Sequence, residues 1–480
     1  MVQKSVTKNT TYLTLAYIGQ KVLSFFYFIL VARFLEVDNL GKYTFALGFA
    51  TMFSVFVDIG LTQALIRESA KYKEKVQSFL SSVLSVKIGL GFLVYLLIIL
   101  VVNLLNYPLI TKQLVYLAGL IMLLDQFSIT FWGVFRGARN LKYESISVVI
   151  NQIVILTVGL IVLYLKLSLL WLMLPFILGS IFSFTFSSFC ITKKLNINLS
   201  FKFDKQILKN LLIISLPFAL IAIFSKIYGY IDTVLLSKLI GDKAVGWYSV
   251  AMKIPFALQF IPAALSAAIY PAFSYEYCND KQQLKKTFDK AMLFLTIVSL
   301  PISVGIAVLA KPIILFFYAE KYLPSVEPLM VLMVGLFFVF LNFPLGALLN
   351  SCDRQNKNAL LVGCTMILNI ILNIFLIPKY SFVGASVAFL ISHFCLFMLS
   401  MWVAKGIIPY QKKYLFKVFS KSFVSATLMG IILYLLRSDI HFIILIVIGG
   451  IVYLSTLYLV KGFTREDVMY FVNLLKKKKA

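Results

Sequence analysis

Apolar residues run through this chain in long blocks, with few charges inside each block and no sustained period-two alternation. A helix needs roughly 20 mostly apolar residues to cross about 30 Å of hydrocarbon. Blocks of that kind cover residues 11–35, 39–66, 77–105, 113–138, 143–165, 168–192, 208–239, 244–274, 288–310, 325–350, 357–377, 381–405, 414–437 and 440–461. Several exceed the minimum length, which predicts tilt or protrusion from the bilayer. The loops between them hold roughly 4–20 residues, too few for a soluble domain. The pattern predicts an all-α polytopic membrane protein with about fourteen transmembrane helices.

Composition agrees: 61% of the 480 residues are hydrophobic and 13% are charged, too little charge to cover a soluble protein of this size. The net charge of +26 would suit a nucleic-acid binder, but its placement argues against one. Lys and Arg favour alternate loops by about three to one, which predicts both termini in the cytoplasm of a multi-pass cell-membrane protein. The excess basic charge is then topology and contact with anionic headgroups, and the lysine run at 476–479 fits that account or that of a solvated tail. Residues 1–10 are polar and lead into the first span without a small-residue cleavage site, so that helix is expected to be retained. The five cysteines are scattered without CxxC spacing. They predict neither a metal site nor a disulfide framework, and fit ordinary apolar packing.

An internal repeat divides the chain. Residues 29–43 (ILVARFLEVDNLGKY) align with 234–248 (VLLSKLIGDKAVGWY) at an offset of 205, matching Leu30 to Leu235, Arg33 to Lys238, Gly41 to Gly246 and Tyr43 to Tyr248. Lys21 meets Lys226 at the same offset. A looser echo links 136–143 (RGARNLKY) to 351–358 (SCDRQNKN). The repeat predicts two pseudo-symmetric six-helix bundles of one orientation, at 1–192 and 208–405, related by an axis along the membrane normal. Residues 193–207 form a cytoplasmic linker, and 406–480 add two further helices and a basic tail.

Parallel-repeat bundles of this kind hold substrate between their halves and work by alternating access. An enzyme is not expected: no P-loop, HExxH or GxSxG is present, and no outer loop is long enough to carry a catalytic set. No ATPase domain, re-entrant pore segment or cofactor motif is visible.

Ionisable residues inside spans are costly, and each is a functional candidate. Lys21 and Lys226 each lie 12 residues inward of the basic residue at a helix end, about 18 Å deep at 1.5 Å per residue. Lys253 lies about 15 Å deep on the same rise. Two readings stand. The lysines can line a water-filled cationic cavity for an anion, with phosphate the leading candidate, or they can pair with buried carboxylates. Among the acids, Asp58 and Lys87 lie at similar depth and can pair with each other. Asp58 and Asp125 are also the candidates for ion coupling. Asp232 is expected to meet interfacial water. Tyr17 and Phe25 lie one turn from Lys21, and Tyr230 lies one turn from Lys226, positions that suit either sugar stacking or packing. Asn369 and Asn373, spaced i, i+4, suit hydrogen bonding between helices. Pro217, Pro255 and Pro262 can kink the helices around the cavity.

These segments resemble the polysaccharide transporter, or O-antigen-type oligosaccharide flippase, family of the multidrug/oligosaccharidyl-lipid/polysaccharide superfamily. The resemblance rests on LVARFLEVDNLGKYTFA in the first two spans, DIGLTQALIRESA at 58–70, FRGARNLKY at 135–143 and IDTVLLSKLIGDKAVGWYSVA at 231–251. It covers nearly the whole chain. It implies translocation of polyprenyl-pyrophosphate-linked oligosaccharide across the cytoplasmic membrane for cell-surface polysaccharide synthesis, with assembly enzymes as downstream partners. It also implies roles for Lys21 and Lys253 in the cationic cavity, though lysine lacks the bidentate fork of the arginines in related lipid II flippases. By the same analogy, the last two helices form a groove for the lipid tail. A drug/cation antiporter of the same superfamily is the alternative, although it calls for acids where this chain has lysines. A membrane glycosyltransferase or polymerase would need a catalytic acid or base on an outer loop, and the outer loops here are short.

Overall fold

The computed structural model describes residues 2–201 and 204–463, with side chains from Tyr12 onward except at 214, 217 and 218. The lysine run at 476–479, residues 202–203 of the expected linker and the side chain of Pro217 lie outside the described residues. The described chain is helical, without strands. Its helices are α1 (Val2–Phe34), α2 (Val37–Asp58), α3 (Leu61–Lys71), α4 (Val76–Leu104), α5 (Leu109–Gly137), α6 (Lys142–Tyr164), α7 (Leu174–Lys194), α8 (Lys205–Leu239), α9 (Asp242–Leu258), α10 (Phe260–Asn279), α11 (Lys281–Val308), α12 (Ala310–Tyr318), α13 (Val326–Ser351), α14 (Gln355–Lys405), α15 (Lys412–Leu436) and α16 (Phe442–Leu459). In hydrocarbon each backbone N–H and C=O needs a partner within its own segment, and a helix supplies it.

Side-chain placement follows the same physics. On α4, Phe92, Leu93, Leu96 and Leu100 are exposed while Ser81, Ser82 and Lys87 are buried. That is the reverse of a soluble helix and fits a lipid-facing surface around a polar interior. Thirteen helical segments among the described residues are long and apolar enough to span a bilayer. One is the 51-residue α14, which is divided at Ser381 (φ 52°, ψ −135°). The two limbs fold back closely, since a Cβ on Gly384 would lie 2.4 Å from the carbonyl oxygen of Leu376. Counting α14 as two, the chain is the all-α polytopic membrane protein that the blocks predicted.

Two blocks read as single spans are interrupted. The block 39–66 breaks after Asp58, where Ile59 (φ 38°) and Gly60 (φ 75°) take left-handed conformations. Gly60 is required there, because a Cβ would lie 2.8 Å from the carbonyl oxygen of Ser215 on α8. The block 244–274 breaks at Gln259, between α9 and α10. Pro255 lies within α9, and Pro262 occupies the first turn of α10, where a missing N–H costs little. Hydropathy alone registers neither break, because apolar residues continue through both.

The chain forms two compact units, residues 1–246 and 247–480. In the first, α1 packs on α6, α6 on α7, and α5 on α2, α4 and α7; α8 lies against α2, α3 and α4. In the second, α13 packs on α14, α11 on α13 and α15, and α16 on α15. These units describe packing, whereas the halves 1–192 and 208–405 describe sequence repetition, and the two partitions place α8 differently.

Candidate functional site

Within the first unit, α8 runs unbroken from Lys205 to Leu239, so Lys226 lies about 18 Å along the axis from Lys238 at 1.5 Å per residue. Lys226 is half-buried, and its ammonium lies 5.8 Å from the centre of the Tyr230 ring, within cation–π range. Tyr230 rests on α2, where a Cβ on Gly48 would meet its Cδ1 at 3.2 Å. No carboxylate forms an ion pair with Lys226 among the described residues. Of the two readings for this lysine, the structure therefore offers no acid partner.

The other candidates are distributed. Lys21 is exposed on α1 and Phe25 is half-buried one turn away, its ring edge-on to Phe26 at 6.3 Å. Tyr17 takes part in a polar cluster. Its hydroxyl donates to Glu144 Oε1 at 2.8 Å and accepts from Arg136 Nη2 at 3.3 Å. Arg136 also grips Glu144 through Nε at 3.0 Å and through Nη2. The cluster ties α1 to the end of α5 and the start of α6. Each charge also complements the dipole of its own helix end, acid at the start of α6 and base at the end of α5. Glu144 is 1% exposed; sequence reasoning missed it, although its position eight residues after Arg136 across a tight loop was a usable signal. Lys253 is half-buried on α9 in the second unit.

Asp58 and Lys87 form the ion pair that their depths allowed. The Lys87 ammonium is 0% exposed and spends its three donors on Asp58, Thr62 Oγ1 at 2.9 Å and Thr130 Oγ1 at 2.7 Å. Asp58 also accepts from the Thr62 N–H at 3.2 Å and from its hydroxyl, so one carboxylate ends α2, caps α3 and holds α4. Asp125 accepts from Ser180 Oγ at 2.7 Å. Asp232 is 4% exposed, which corrects the expectation that it meets interfacial water. Asn369 donates to Ser392 Oγ at 3.3 Å, and Asn373 donates to Asn369 Oδ1 at 3.0 Å. The first bond joins the two limbs of α14, the role between helices that the spacing suggested, whereas the second stays within one limb.

The second unit contains an apolar groove of about 750 Å³ between α11, α13, α14 and α15. Leu300, Phe337, Phe397 and Phe419 line it, with Thr296 and Ser303 as polar points on α11 and Lys412 at the start of α15. The expected groove used only the last two helices. The one observed takes its α15 wall from the first of them and its other walls from the bundle.

The model of the family described as polysaccharide biosynthesis protein matches residues 6–275, and a second model, MatE, matches 217–375. The capsular polysaccharide biosynthesis protein CapF of Staphylococcus aureus is 22% identical, over 81% of this chain and 96% of its own. A putative O-antigen transporter of Shigella flexneri is 23% identical, over 83% of this chain and 97% of its own. A solved structure of the lipid II flippase MurJ in an inward closed conformation superposes with a TM-score of 0.78 at 18% identity. It covers 94% of this chain and 98% of that one, and it shares the fold. Two of these three neighbours are named as a transporter and a flippase, and none is named as an enzyme. By its family match over residues 6–275, this chain belongs to the polysaccharide biosynthesis protein family, and its fold is that of the lipid II flippase structure.

Proposed function

We propose that this protein is a flippase that moves a polyprenyl-(pyro)phosphate-linked oligosaccharide across the cytoplasmic membrane by alternating access. Both termini lie in the cytoplasm in this reading, and downstream assembly enzymes take the product. The observation that carries it is Lys226, a cation deep in α8 that lies over Tyr230 and has no acid partner among the described residues. A half-buried ammonium of this kind suits an anion, and a diphosphate supplies one. Lys21 and Lys253 join it on the substrate, with Tyr17, Phe25 and Tyr230 as aromatic surfaces for sugar rings. The apolar groove of the second unit suits the lipid tail, which has no place in a cationic cavity. The repeat halves 1–192 and 208–405 are the bodies that rock. Asp125 is the stronger of the two coupling candidates, because Asp58 is already engaged by Lys87. The names of CapF and the O-antigen transporter support the substrate class.

The MatE match over 217–375 favours a second reading, an organic-cation antiporter. Proteoliposomes loaded with a fluorescent polyprenyl-diphosphate oligosaccharide, with an organic cation assayed in parallel, separate the two. Protein-dependent glycolipid movement, lost in Lys226→Gln, supports the flippase. Cation efflux without glycolipid movement overturns it.

A further inference from the structure

The first turn of α15 runs against the usual charge preference of a helix start. It carries Lys412 and Lys413 and holds no acid, and the side chain of Gln411 before it makes no capping hydrogen bond. A helix start favours negative charge, so two lysines there are unfavourable unless an anion joins them. Lys412 also lines the apolar groove, at the end where α11 and α15 begin, together with Tyr410 and Met292. A buried carboxylate reaches the same end. Asp289 lies three residues before Met292 and seven before Thr296 on α11, so it shares the helix face that lines the groove. The backbone N–H of Gln411 is directed at its carboxylate, which brings Asp289 next to Lys412 in the fold. Asp289 is 6% exposed, and its Oδ1 has no hydrogen-bond partner. Neither Asp289 nor Lys412 forms an ion pair among the described residues. Lys285 and Lys290 act on the Asp289 charge only from beyond ion-pair distance.

The groove thus ends in an unpaired cation and an unsatisfied carboxylate oxygen, held close but not joined. An acidic lipid suits Lys412 and the helix start, but it sets a negative charge beside Asp289 and gives that carboxylate no donor. A choline headgroup brings a positive charge without an N–H. An ethanolamine phospholipid supplies every part. Its phosphate accepts from Lys412, its ammonium donates to Asp289 Oδ1, and an acyl chain lies along the apolar walls. We propose that the groove of the second unit is a binding site for an ethanolamine phospholipid, with Lys412 on the phosphate and Asp289 on the ammonium. Binding does not depend on the flippase reading. It adds to that reading that a bilayer lipid held here must leave before a substrate tail enters the same groove.

The test uses the purified full-length protein, delipidated in detergent, and three phospholipids with identical oleoyl chains and ethanolamine, choline or glycerol headgroups. Native mass spectrometry, which counts bound lipid, and thermal unfolding are the two readouts. The ethanolamine lipid should bind about tenfold or more tightly than the choline lipid, with matching stabilisation. Asp289→Asn should erase that preference, whereas Lys412→Gln should weaken all three lipids alike. Ala307→Trp, which narrows the groove from α11, should also weaken all three. Lys311→Gln, exposed on α12, should change none. If Asp289→Asn does not fold, Lys412→Gln and the headgroup comparison on the parent carry the test. Equal binding of the ethanolamine and choline lipids overturns the proposal. Tightest binding of the glycerol lipid also overturns it and makes the groove end an acidic-lipid site. A preference that survives Asp289→Asn, or binding that survives Ala307→Trp, places the lipid elsewhere and overturns it too.

Discussion

Gly41 and Gly246 make reciprocal contacts. A Cβ on Gly41 would fall 1.7 Å from the carbonyl oxygen of Asp242, and a Cβ on Gly246 would fall 2.2 Å from the carbonyl oxygen of Val37. Val37 and Asp242 are separated by the same 205 positions as the glycines, so the starts of α2 and α9 meet through equivalent atoms. The nearest atom to each is a backbone carbonyl oxygen, which cannot yield as the far end of a flexible side chain would. Alanine at either glycine should lower stability by about 1–3 kcal/mol, as overpacking does. The double variant should lose less than the sum, because both disrupt one contact. Gly89→Ala, where a Cβ meets nothing within 4 Å, should stabilise α4 by about 0.5–1 kcal/mol. Thermal unfolding in detergent measures all four proteins.

The Asp58–Lys87 pair makes a sharper stability prediction. Removing one partner leaves the other charge in the interior, at a cost of about 3–5 kcal/mol. Lys87→Met and Asp58→Asn should each lower the unfolding temperature strongly. The double variant should recover most of the loss, since it leaves no uncompensated charge. Single variants that unfold like the parent would show that the pair is not maintained in the membrane.

At Lys226 the prediction concerns transport rather than stability. Lys226→Gln should insert and unfold like the parent, because no ion pair is lost, yet its glycolipid movement should fall by at least about tenfold, the loss of roughly 1.4 kcal/mol of binding. Lys226→Arg keeps the charge and should keep most of the movement. Parent-rate movement by the glutamine variant would remove Lys226 from the substrate site.

Filling the groove tests its assignment to the lipid tail. Ala307 lines it from α11, and Ala307→Trp adds bulk to the wall without touching a charge. Movement of a long-chain polyprenyl substrate should drop, while movement of a short-chain analogue should persist. Equal losses for both chains would assign the effect to disturbed packing of α11.

The spans and the ion pair at Asp58 were legible because each leaves a linear trace: block length, and two charges at similar depth. The break at Ile59 and Gly60 left none, since it depends on the Asp58 side chain folding back to cap α3 and on a carbonyl of α8 that excludes a Cβ. Tyr17 shows the limit for the site. Its spacing put it one turn from Lys21, but spacing cannot reveal that its hydroxyl is engaged by Glu144 and Arg136, more than a hundred residues away. Ser180 went unnoticed for a related reason. Isolated polar residues in an apolar helix carry meaning only once neighbouring helices give them company.

The union of Asp58 with Lys87 also bears on how the chain is made. Asp58 is synthesised 29 residues ahead of its partner, with α3 between them. Until α4 follows, the carboxylate has only Thr62 to shelter it, and a lone acid is poorly accepted by hydrocarbon. Residues 37–104 are therefore expected to enter the bilayer as one cooperative package, in which the third crossing secures the second.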